Sequence, residues 1–130
     1  MKLLPFAAAL IALIAFRPAA AAADAKGTID ALDGALLDVM KNATKLGYQG
    51  RYKKLEPIIG RIFNLPLMAR IAVWPQWTSL TTDQQNKVVQ AFTQLSVATY
   101  ASRFDGYGGE QFKIVNEAPI NGGDDVVDTK

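Results

Sequence analysis

The chain contains neither cysteine nor histidine. Without cysteine there is no disulfide, no thiol nucleophile and no thiolate metal site, so an exported form must hold together by packing or by a bound ligand. The lack of histidine removes the commonest general base, the commonest zinc ligand and every Ser/His or Cys/His catalytic arrangement. Any enzyme built on this sequence would have to use Asp, Glu, Lys or Tyr. A long hydrophobic run is also lacking: the apolar stretch from Leu3 to Phe16 is cut off at Arg17-Pro18, short of the roughly 20 residues that span a bilayer.

That stretch follows Met1-Lys2 and precedes the small-residue sequence Pro18 to Ala23, the pattern of a secretory signal peptide cleaved near Ala22 or Ala23. Residues 1–23 are therefore read as leader and 24–130 as a single domain. Lys2 and Arg17 leave with the leader, and the remainder then carries as many basic as acidic residues. Its neutrality gives no reason to expect nucleic acid or an anionic membrane surface as partner.

Half of the residues are hydrophobic and a fifth are charged, a globular balance. Ile29, Leu32, Leu36, Val39, Met40, Ala43 and Leu46 recur at helical spacing, which predicts a helix over 28–46 ending before Gly47. A second runs from Arg51 to Phe63, with a kink or restart expected at Pro57, whose ring removes a hydrogen bond. Asn64 as N-cap and Pro66 in a first turn predict a third helix from Leu65 to about Val73. Thr81 with Gln84 forms a capping box opening a fourth and longest helix, to about Phe104. Between Val88 and Ser102 that helix has no charge and apolar residues on opposite sides, so it is expected to be enclosed on both flanks.

The period then changes. Gln111 to Glu117 alternates as a strand, Asn121-Gly122-Gly123 marks a turn, and Val126-Val127 begins a second strand. Four helices followed by one and a half strands read as an α+β domain whose sheet is largely missing through C-terminal truncation.

Few groups could carry chemistry. Asp105, Glu110, Glu117, Asp124, Asp125 and Asp128 crowd the C-terminal third, beside glycine and in turns where solvated charge is ordinary, and they lack the ligand alternation of a calcium loop. No metal site and no cofactor are expected. Arg51, Lys53 and Lys54, with Tyr48 and Tyr52 nearby, read as a helix's solvated face.

The strings Arg51-Tyr52, Phe63-Asn64-Leu65-Pro66, Met68-Ala69-Arg70, Gln84-Gln85, Ala91-Phe92 and Thr99-Tyr100-Ala101, with Phe104-Asp105-Gly106-Tyr107, resemble the MlaC/HpnM family. These are the periplasmic carriers of Mla-type phospholipid transport and their hopanoid-cluster relatives, also called toluene-tolerance proteins. The run Val97 to Tyr107 is closest to the HpnM branch, while Asn64 stands where Asp is common and Trp74 where glycine usually precedes Pro75. The resemblance implies a fold in which helices pack on a curved antiparallel sheet around a pocket for lipid tails. It further implies no enzymatic activity, bound phospholipid or hopanoid-type lipid as cargo, and delivery between an inner-membrane ABC transporter complex and an outer-membrane lipid complex, in support of outer-membrane lipid asymmetry. A monomer is expected.

Phe63, Met68, Ile71, Val88, Phe92, Leu95 and Tyr100 are the candidate lipid-binding residues, on faces that can converge where the third and fourth helices meet. The alternative is a helical protein-protein adaptor with an exposed apolar patch and no cavity.

Overall fold

A computed structural model describes residues 24–120 and 122–130. The expected leader lies outside the described residues, and so does Asn121 of the expected turn. The order is α1 (Ala25–Lys41), α2 (Ala43–Ile62), α3 (Leu65–Ala72), a short 3-10 turn (Gln76–Ser79), α4 (Thr82–Arg103), β1 (Ile114–Pro119) and β2 (Asp125–Thr129). This is the α+β architecture expected, dominated by helices and completed by one small antiparallel sheet.

Helix α1 buries Leu32, Leu36, Val39 and Met40, a single stripe at three- and four-residue spacing. It ends at Lys41 rather than near residue 46, since Asn42 leaves helical geometry at φ −104° and ψ 14° while still bonding the preceding turn. Its backbone N–H and its side-chain amide both donate to the Asp38 carbonyl, at 3.1 and 2.9 Å. The chain resumes as α2 and is interrupted again at Gly47, where φ is 59° and ψ is −179°. That region of backbone space is close to glycine-only, and the break lets the two parts of α2 diverge.

No break occurs at Pro57: the backbone there stays helical, and the helix does not restart at this point. Pro57 faces solvent, while Leu55 and Ile59 on either side are fully buried. Packing of these two side chains holds the helix across the missing hydrogen bond. Both later caps form as the sequence predicts. Asn64 accepts from the Leu67 N–H at 3.2 Å, and Thr81 and Gln84 exchange bonds at 2.9 and 3.3 Å.

Helix α2 packs against α1 and α4, α3 against α4, and β2 against α1. The core gathers Leu32, Leu36, Val39, Leu55, Ile59, Leu65, Val97 and Ala101. Helix α4 is not enclosed on both flanks. Val97 and Ala101 are buried, whereas Leu95, on the other side, is 65% exposed. With α2 and α3 occupying neighbouring sides, no described element covers Leu95.

Strands β1 and β2 pair with Glu117 opposite Val127 and Ala118 opposite Val126, with an irregularity between Ile114 and Asn116. The first strand starts three residues later than the alternation suggests and runs on to Pro119. Lys113 and Lys130 close the open end through reciprocal backbone bonds of 2.8 and 3.0 Å.

Candidate functional site

The seven candidate residues fall into two groups. Phe63, Val88, Phe92 and Tyr100 are half-buried, and three of them pack on the core: Phe63, Phe92 and Tyr100. The Phe63 ring lies 5.8 Å from that of Tyr100, which stacks on Phe104 at 5.6 Å with 13° between the ring planes. Phe104 in turn lies 6.4 Å from Phe112. Such offset and tilted pairs are favourable beyond the area they bury. Burial also pushes the Tyr100 hydroxyl above its ordinary pKa, since the phenolate is the costlier form to desolvate.

Met68, Ile71 and Leu95 point elsewhere and are 40%, 64% and 65% exposed. Ile71 lines an open groove of about 520 Å³ with Leu67, Arg70 and Trp74. Leu95 lines another of about 370 Å³, and Tyr100 a third of about 320 Å³. Ile71, Leu95 and Tyr100 therefore line three different grooves, the last two adjoining at Thr99 and Arg103, while Phe63 and Phe92 stand at the rim of the core, and the seven candidates do not form one enclosed wall where α3 meets α4. Each of these grooves is a size that a drug-like ligand or part of a lipid tail can use, but all three are open to solvent.

Helix α3 carries more apolar surface than the sequence reading assigned it. Leu65 and Ala69 face the core, and Leu67, Met68, Ile71 and Trp74 stand on the outer side at 40% exposure or more. The Arg70 guanidinium lies over the Trp74 ring, 5.8 Å from its centroid. Trp74 lies just beyond the end of α3 and joins this surface.

Arg51 departs from the solvated face predicted for it. It is buried, donating from Nε to the Ala101 carbonyl at 2.8 Å and from a terminal nitrogen to the Ala43 carbonyl at 3.2 Å. A signal for this was present: residues 51, 55 and 59 share one helical face, and the other two are the buried Leu55 and Ile59. Lys54 does lie on the surface, paired with Asp38, and this pairing lowers the pKa of the carboxyl.

The acidic C-terminal third behaves as solvated charge. Glu110, for example, accepts the Gly108 N–H at 2.6 Å, which lowers its pKa. Among the described residues no cluster of three or more His, Cys, Asp or Glu could hold a metal ion, and no helix is long and apolar enough to cross a membrane.

A model of the MlaC protein family matches residues 30–130. The chain belongs to the MlaC family. This match covers every element of the described fold from the first turns of α1 onward. MlaC proteins are periplasmic lipid-binding carriers rather than enzymes, in keeping with a site made of apolar side chains and rings. No curated protein and no solved structure matches the chain.

Proposed function

We propose that this MlaC protein is exported, loses residues 1–23, and works as a monomeric periplasmic lipid carrier made of residues 24–130. It takes phospholipid or hopanoid-type lipid by the acyl chains and passes it between membrane complexes, an inner-membrane ABC transporter among them. The family match carries this reading. Physical support comes from the uncharged stretch Val88 to Ser102 of α4 and the bare side of α3, which together present Leu67, Met68, Ile71 and Leu95 to solvent. Burying a methylene contributes about 0.8 kcal/mol, so exposed apolar surface of this kind is where an acyl chain gains most. The HpnM branch, and with it a hopanoid cargo, rests on the likeness of Val97 to Tyr107 alone.

One observation favours the adaptor reading: the apolar side of α3 is exposed, and the grooves beside it are open rather than enclosed. Solvent extraction and mass spectrometry of protein purified from periplasm separate the two readings, because a carrier comes out with stoichiometric lipid and an adaptor with none.

Leu95→Trp sharpens the test. At 65% exposure a larger ring meets no packed neighbour, so melting stays within the roughly 0.5 kcal/mol of ordinary surface changes. Bound lipid falls because the indole occupies the groove, while Lys87→Ala, on an exposed ion pair with Asp83, changes neither. Loss of several degrees in melting temperature with lipid retained would remove Leu95 from the site.

A further inference from the structure

Arg103 closes the uncharged stretch of α4. Between Lys87 and Arg103 there is no charged residue, and Phe92, Leu95, Thr99 and Arg103 follow one another on a single helical face. At a rise of 1.5 Å per residue, Arg103 stands about 12 Å beyond Leu95 and about 22 Å beyond Val88. One leaflet of a bilayer's hydrocarbon is about 15 Å deep, half of the roughly 30 Å core. The open part of this lane, from Leu95 to Arg103, is therefore close to the length of one acyl chain, with a cation at its end.

Among the described residues Arg103 lacks two ordinary partners of an arginine at this position. Among the described residues its side chain forms no ion pair. A basic residue in a helix's last turn commonly bonds the terminal carbonyls, but among the described residues the Arg103 side chain donates to none of them, and Arg51 takes that of Ala101. Two grooves flank Arg103 and share Thr99 with it. Leu95 and Ala98 line the first, Tyr100 and Phe104 the second, and neither contains a carboxylate. A lipid with two chains can lay one on each side of this ridge and bring its phosphate to the guanidinium, whose planar fork matches phosphate oxygens in pairs.

We propose that Arg103 is a specificity-determining residue that receives the phosphate of a lipid headgroup, so that the protein takes anionic phospholipid in preference to uncharged lipid. The proposal rests on the carrier reading above and adds a selectivity to it.

The test incubates delipidated protein with vesicles containing equal amounts of phosphatidylglycerol and uncharged diacylglycerol, followed by native mass spectrometry of the lipid taken up. Wild type is expected to favour phosphatidylglycerol by about ten-fold, and Arg103→Gln to reduce that preference to near unity by losing phosphatidylglycerol uptake, with diacylglycerol uptake and melting temperature unchanged. Arg103→Lys keeps part of it. Inorganic phosphate should not compete, because it has no chains to fill the grooves. If Arg103→Gln binds lipid and retains the preference, or if inorganic phosphate displaces the phospholipid, the headgroup site is wrong while the carrier reading stands. Should wild type take up neither lipid, the carrier reading fails and this inference with it.

Discussion

Arg51→Met lowers the stability of the protein by about 2–4 kcal/mol, the loss of two charge-assisted hydrogen bonds partly offset by new apolar contact. The guanidinium is buried and bonds two backbone carbonyls, Ala101 in the last turn of α4 and Ala43 in the first turn of α2. Without it, both carbonyls stay in low-dielectric surroundings where water reaches them poorly, and an unmade buried bond is more expensive than a surface one. For a domain of this size the fall in melting temperature is on the order of 10–20 °C, read by thermal circular dichroism. Arg51→Lys recovers a minor part, since an ammonium cannot reproduce the fork that spans two acceptors. A melting temperature within two degrees of wild type would mean that the carbonyls find other donors and that Arg51 joins nothing.

Leu55→Ala destabilises by about 2–5 kcal/mol. Leu55 has no exposed surface and sits in the cluster with Val39, Ile59 and Val97, so truncation leaves a void between α1, α2 and α4. Chemical denaturation gives the cleaner measurement: the midpoint should fall with the slope unchanged, because the same surface is still exposed on unfolding. Leu95→Ala is the comparison, on the same kind of side chain at 65% exposure, and should change the midpoint hardly at all. Equal effects of the two substitutions would contradict the burial that separates core from groove.

Local chemistry was legible in the sequence wherever it is decided within one or two turns. Asn64 and the Thr81/Gln84 pair cap the helices they were expected to cap, and the glycine turn joins two strands as anticipated. Pro57 misled because its effect on an isolated helix is opposed by Leu55 and Ile59, whose burial depends on distant partners. Arg51 misled for the opposite reason: its charge argued for solvent, whereas its spacing from Leu55 argued for the core, and two carbonyl acceptors resolve the conflict. The candidate site was the least legible part. Sequence identifies apolar residues on α3 and α4, but only packing decides that Phe63 and Tyr100 lean on the core while Met68, Ile71 and Leu95 remain outside it.

The row of rings from Phe63 through Tyr100 and Phe104 to Phe112 also bears on how the molecule breathes. Phe112 lies just ahead of β1, and the hairpin itself buries little, with Ile114, Ala118 and Val127 only half-covered. Among the described residues its main attachments to the helices are the Phe112 ring contact and the packing of β2 on α1. Amides of β1 and β2 should accordingly exchange with solvent deuterium through a local opening that leaves the helices intact, long before those around Val97 and Ala101, which wait for the whole core to unfold. The hairpin is then a separately opening leaf, able to lift from α1 while the helical layer keeps its shape.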